Sequence, residues 1–208
     1  MTTGKYTGAG EGWSDEQYAD AASYLQHRAD LIVSLGPSLV PGDRVVDLAC
    51  GDAGLAAFLL PCGLRYLGVD ATAAMVEAAR RRLGDRGPVV LADLNDFQPE
   101  EPAQATTIFR AIYYARNRRG LFQSIASYTE KKLVFDLNPR QYRLEDVRSD
   151  LRAAGFDRLD RRPFFAPQTV ALRGPLARAA YALERTGPLA RAALRVRFTY
   201  LCAASRAT

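Results

Sequence analysis

Three short β-rich apolar runs between Arg44 and Asp93 each carry an acid at or near their end: RVVDLAC (Arg44–Cys50), LRYLGVD (Leu64–Asp70) and PVVLAD (Pro88–Asp93). Helical text separates the first two (Leu55–Leu60) and leads away from the second (Thr72–Leu83). In Thr72–Leu83, Thr72 stands as cap and Ala74, Met75, Ala78, Ala79 and Leu83 form the apolar side. The alternation continues with strands at Ala105–Ile112 and Lys131–Leu137 and helices at Leu121–Tyr128 and Leu144–Ala154, the last ended by Gly155. Phe156–Arg162 and Arg197–Ala204 read as two final strands. Strands joined through helices of about ten residues require crossover connections and hence a mainly parallel sheet. The expected class is α/β.

Two segments stand outside this rhythm. Residues 1–12 are Gly-rich and weakly hydrophobic and read as a mobile arm, followed by one domain over 13–208. Within that domain, 13–36 reads as a capping helix: Tyr18, Ala21, Ala22, Leu25, Ala29 and Ile32 recur at helical spacing, and Ser14 with Gln17 resembles a capping box. Near the other end, Pro163–Leu194 separates the last two strands, where a short link would suffice. It repeats GPLARAA at Gly174–Ala180 and Gly187–Ala193, and Pro175 and Pro188 suit the first position of two short helices. Whether this helical insertion is a lid over a site or packing stays open.

Charge singles out the same insertion. The net charge is +5, and Leu172–Phe198 holds six arginines against the single acid Glu184, so the rest of the chain is close to neutral. Such a stretch suits weak contact with an anionic membrane or with nucleic acid, or forms the solvated faces of helices. The longest nearly apolar stretch, Leu55–Leu64, is about half of what a membrane span needs. Three cysteines (Cys50, Cys62, Cys202) match neither a disulfide framework nor a zinc pattern, and the N-terminus has no signal-peptide core. A cytoplasmic protein is expected. Oligomeric state is not readable.

The chemistry concentrates in VVDLACGDAG, Val45–Gly54: a strand, an acid, a turn of small residues, then a helix. Ala49, Gly51 and Ala53 allow a ligand close to the backbone. Such a turn alone fits several nucleotide folds. Nineteen residues after Gly51 comes Asp70, suited to accept both hydroxyls of a ribose, and the third strand ends in Asp93 beside Leu94.

Together these residues resemble the class I S-adenosylmethionine-dependent methyltransferases. The resemblance spans roughly Arg44–Ala204. It implies a doubly wound seven-stranded sheet with helices on both faces and an antiparallel last strand. It also implies S-adenosylmethionine as cofactor, with Asp47 orienting the loop and the cofactor's ammonium, and Ala49, Cys50 and Gly51 against its methionine part. Asp70 would bind the ribose, with Ala71 and Met75 beside the adenine, and Asp93 and Leu94 would close the adenine pocket. The chain departs from the family's Gly-x-Gly-x-Gly pattern at Ala49 and Ala53, both small replacements.

After the fourth strand, FRAIYYARN (Phe109–Asn117) occupies the loop that faces the transferable methyl in that family. It lacks the acid of metal-dependent members and the Asn/Asp-Pro-Pro-aromatic run of nucleic-acid amino methylation, so metal catalysis and nucleic-acid acceptors are disfavoured. Arg110 is assigned to an anionic acceptor or the cofactor carboxylate, with a surface ion pair as the alternative, and Tyr113 and Tyr114 either to contact with the acceptor or to packing. His27, the only histidine, carries the side chain whose ordinary pKa suits general-base work, although helix histidines are more often structural. Tyr113 is the second catalytic candidate. The expected activity is methyl transfer to an O or N of a small, partly hydrophobic metabolite. The alternatives are an RNA or protein methyltransferase using the basic segment, and a cofactor-binding regulatory module without transfer.

Overall fold

In the first strand, Val45 packs against helices on one face of the sheet and Val46 against helices on the other, the period-two alternation of a strand buried on both sides. The computed structural model describes residues 13–166, 174–187, 192 and 199–207. Seven strands form one sheet: β1 (Arg44–Leu48), β2 (Arg65–Asp70), β3 (Val89–Leu91), β4 (Ala103–Ile108), β5 (Thr129–Leu137), β6 (Arg158–Phe164) and β7 (Thr199–Ser205). Their spatial order is β3-β2-β1-β4-β5-β7-β6. β1 to β5 are parallel, and β7 runs antiparallel to both β5 and β6. This is the doubly wound sheet with a reversed last strand that the resemblance implied.

Helices α1 (Trp13–Glu16), α2 (Ala21–Ser34), α3 (Ala56–Leu59) and α4 (Ala73–Leu83) belong to one layer. Leu25, Ile32, Leu59, Val76 and Ala79 from this layer share a core with Val45 and Val134. On the other face α5 (Arg118–Tyr128) and α6 (Leu144–Ala153) bury Phe122, Ile125, Val147 and Leu151 against Val46, Leu133 and Phe135. Gly155 follows α6 at φ +89, the left-handed position expected of it. No helix among the described residues is long and apolar enough to cross a membrane.

Three local expectations are corrected. The single helix over Ser14–Leu35 is broken, because the Asp20 side chain accepts from the Ser23 backbone N–H and starts α2 afresh. Ser14 makes no capping box there; its hydroxyl donates to Asp52 instead. At the other end β6 runs through Pro163 to Phe164, so the insertion starts later than Pro163. Proline is tolerated because β6 is the sheet edge and pairs on one side only. The first GPLARAA copy opens α7 (Gly174–Leu183). The 1–12 arm and most of the second copy lie outside the described residues.

One buried contact fixes α2 against the sheet. Lys132, fully buried in β5, donates to the carbonyls of Leu35 (2.8 Å) and Val33 (3.2 Å) at the end of α2. Neither carbonyl is paired within the helix, the Val33 one also accepting from the Leu39 N–H (3.0 Å), and a cation there meets the negative end of the helix dipole. Burial lowers the Lys132 ammonium to about 8. The contact sets the position of α2, which carries part of the site.

Candidate functional site

The chain winds outward from β1 to β3 on one side, then returns to start β4 on the other, so the connections diverge between β1 and β4. Open α/β sheets bind ligands at such a switch point, beyond the carboxyl ends of the strands. A cavity of about 460 Å³ opens there. That is within the range of small-ligand sites.

The loop after β1 forms its floor. Ala49 (φ +57), Gly51 (φ +59) and Ala53 (φ +56) alternate in the left-handed region. The two alanines adopt the conformation that glycine takes at no steric cost, a strain of order 1 kcal/mol each. The loop is held on several sides. Asp52 is fully buried and accepts from Ser14 and from Arg82 (2.7 Å), which ties α1 down over the loop. Asp70 at the end of β2 accepts from the Gly51 N–H (3.0 Å) with one oxygen and from the Thr72 N–H (2.9 Å) with the other. A carboxylate offers about four acceptor positions, so Asp70 keeps capacity for two hydroxyl donors. Cys50 lies flat against β2, where a side chain on Gly68 would stand 2.9 Å from its sulfur.

Asp47 is buried, with its oxygens held by the hydroxyls of Thr107 (2.6 Å) and Tyr66 (2.8 Å). Burial raises its carboxyl to about 6, with the two hydrogen bonds opposing that rise. Asp93 is occupied by Asn95 through its backbone N–H (2.8 Å) and side chain (2.7 Å), and by Arg116 (2.8 Å). Burial alone would raise Asp93, but these donors outweigh it and hold the carboxyl below the usual range. Ala71, Met75 and Leu94 complete this side of the cavity.

The opposite wall comes from β4 and α2. Phe109, Arg110, Tyr113 and Tyr114 face the cavity from the loop after β4. The two tyrosine rings lie 4.3 Å apart, tilted by 52°, and Tyr113 is half-exposed. Arg110 adopts φ +53, and its backbone N–H donates to Asp136 of β5 (2.8 Å). Leu25 and Arg28 of α2 close the wall.

The structure thus brings ten cofactor candidates (Asp47, Ala49, Cys50, Gly51, Asp70, Ala71, Met75, Asp93, Leu94, Arg110) and Tyr113 and Tyr114 around one cavity. It does not bring His27 there. The His27 ring is held by Glu184 (Nε2 to Oε2, 2.8 Å) and stacks on Tyr181 at 3.8 Å between centroids. Glu184 also accepts from the Phe165 N–H (2.7 Å). This contact joins α2 to the insertion, and no residue of α7 lines the cavity. Arg28 was not foreseen, although an arginine one turn from Leu25 and beside Ala29 on the apolar stripe of α2 was the signal for it.

Residues 45–132 match the family model of a methyltransferase domain. No curated protein matches the chain. Among solved structures, the chain is similar to a chain of the complex between the Haloferax volcanii Trm112 methyltransferase activator and the putative methyltransferase: 16% identity, 100% of this chain and 98% of that chain, TM-score 0.69. It is also similar to the magnesium protoporphyrin IX methyltransferase of Synechocystis PCC 6803 (17% identity, 88% and 79% covered, TM-score 0.61). A TehB-like methyltransferase of Corynebacterium glutamicum follows (14% identity, 88% of each chain, TM-score 0.61). At such identities the likeness is one of fold. The methyltransferase-domain match thus runs from β1 into β5, on a sheet of the order and last-strand reversal that the resemblance to class I S-adenosylmethionine-dependent methyltransferases implied.

Proposed function

We propose that the cavity holds S-adenosylmethionine across the ends of β1, β2 and β3, and a small, partly hydrophobic acceptor beyond β4. One observation carries this reading. The three strand-end acids share a single cavity whose far wall is Phe109, Tyr113, Tyr114 and Leu25. Asp70 takes the ribose hydroxyls with its spare lone pairs. Ala49, Cys50 and Gly51 lie against the methionine part, and Asp47 braces the loop and faces the ammonium. Ala71 and Met75 flank the adenine, with Leu94 closing over it. Asp93, already bonded to Asn95 and Arg116, stiffens that rim and offers its remaining lone pairs to the adenine amino group.

Bound there, the cofactor supplies an electrophilic methyl group whose leaving sulfur is already cationic. The protein's task is then mainly alignment and exclusion of water. The aromatic wall suits that task, with Tyr113 and Tyr114 positioning the acceptor. His27, occupied by Glu184, is a positioning residue that fixes α2 to the insertion. An oxygen or nitrogen of a small molecule is the acceptor class. The magnesium protoporphyrin IX methyltransferase, similar in fold, is by its name an enzyme of a small molecule.

Calorimetric titration with S-adenosylmethionine tests the reading. Micromolar-range binding that weakens about ten- to a hundredfold in Asp70→Ala supports it, since a charge-assisted hydrogen bond is worth about 1.5–3 kcal/mol. No binding by the unaltered protein overturns it.

A further inference from the structure

Two guanidinium groups on the β4 side of the cavity lack the anion that buried cations ordinarily have. Arg28 is 5% exposed. Its Nη2 donates to the Tyr24 hydroxyl (2.6 Å), and its Nε has no partner. The guanidinium lies 4.3 Å from the Phe109 ring centre and 4.8 Å from that of Tyr24, contacts that attract a cation without neutralising it. Arg110 enters from the loop after β4, and its buried Nη1 also lacks a partner. Neither arginine forms an ion pair among the described residues. The nearest acids are already engaged: both oxygens of Asp47 by Tyr66 and Thr107, and one oxygen of Asp136 by the Arg110 backbone.

Burying one unpaired cation is costly, and two sharing a cavity cost more. Each guanidinium retains an N–H without an acceptor, in a cavity large enough for a ligand. Left-handed backbone at Arg110, a non-glycine residue, is the kind of strain that persists where surroundings hold a side chain for use.

Position says which ligand the pair serves. Asp93, Asp70 and Asp47 mark the ends of β3, β2 and β1, whereas Arg110 follows β4 and is anchored to β5. The cationic pair is therefore on the acceptor's side.

We propose that Arg28 and Arg110 form a subsite for an anionic oxygen group, of the carboxylate class, on the methyl acceptor. This rests on the reading of the cavity as an S-adenosylmethionine site. The planar donor fork of arginine suits two-point contact with a carboxylate.

The probes are benzoate and its neutral isostere benzamide, titrated into protein saturated with S-adenosylhomocysteine. Benzoate should bind at least tenfold more tightly than benzamide. Arg28→Met and Arg110→Met should each remove most of that preference while changing S-adenosylhomocysteine affinity less than about threefold. Arg110, less buried than Arg28, gives the variant that keeps its fold if Arg28→Met does not. Equal binding of the two probes by the unaltered protein overturns the proposal, and that comparison needs no variant. Tenfold weaker binding of S-adenosylhomocysteine in Arg110→Met, with 5′-methylthioadenosine unaffected, also overturns it, because the pair would then serve the cofactor's own carboxylate. Failure of the underlying reading looks different: the unaltered protein would not bind S-adenosylhomocysteine at all.

Discussion

The two sides of the cavity are built on opposite principles. Beyond β1, β2 and β3, every acid is already engaged: Asp47 by two hydroxyls, Asp70 by two backbone N–H groups, Asp93 by Asn95 and Arg116. Beyond β4, the charged groups are Arg28 and Arg110, each with a buried nitrogen that nothing accepts. A side whose polar groups are satisfied is preorganised and recognises its ligand with what capacity is left over. A side with orphaned donors is costly until something binds, so it says more about the chemistry of an unidentified ligand than the finished side does.

The comparison can be broken first at Asp47. Burial lifts its carboxyl to about 6, so between about pH 4 and 6 the folded chain holds a proton that the unfolded chain has released. Folding is therefore favoured on the acidic side, and about 3 kcal/mol is lost as pH rises through that window. Urea unfolding at pH 4 and pH 7 should show this slope in the unaltered protein and not in Asp47→Asn. Equal slopes would mean that Asp47 is not the strained acid of the pair of walls.

Asp70 comes next. Asp70→Ala removes the proposed ribose acceptor and the brace on the Gly51 N–H, and cofactor affinity should fall about ten- to a hundredfold. Asp70→Asn keeps the shape and one acceptor oxygen and should lose less. Should the two variants lose equally, the brace rather than the ribose contact carries the effect.

His27→Ala sharpens the acceptor side. It leaves the buried Glu184 with the Phe165 N–H as its remaining hydrogen bond, which should cost about 1–2 kcal/mol in a chemical melt. Turnover should fall less than tenfold, because a positioned general base contributes about a hundredfold or more. A hundredfold loss of turnover without loss of stability would make His27 the base. Smallest is Tyr113→Ala, at a half-exposed ring. The apparent KM for acceptor should rise severalfold with cofactor affinity unchanged, and a change in cofactor affinity instead would move Tyr113 to the other wall.

Legibility in the sequence follows the same division. Asp47, Asp70 and Asp93 could be found because a parallel sheet puts the ends of successive strands at one edge, so strand-end acids converge wherever the pattern repeats. Arg28 could not be placed, since what makes it part of the site is Phe109, eighty-one positions on. His27 looked like a base because its partner Glu184 is 157 positions away and invisible to local pattern. The break between α1 and α2 was written in Asp20 as a cap, but apolar spacing on both sides of it hid the interruption. Pro163 seemed to end a strand, yet only a central strand excludes proline, and edge position is a property of the sheet rather than of the segment.

The division of the cavity is tested most directly by one titration series: S-adenosylhomocysteine into the unaltered protein, Asp70→Ala and Arg110→Met under identical conditions. Affinity should fall at least tenfold in Asp70→Ala and stay within about threefold in Arg110→Met. Equal losses in both, or a loss in Arg110→Met alone, would contradict the assignment of the acidic side to the cofactor and the cationic side to the acceptor.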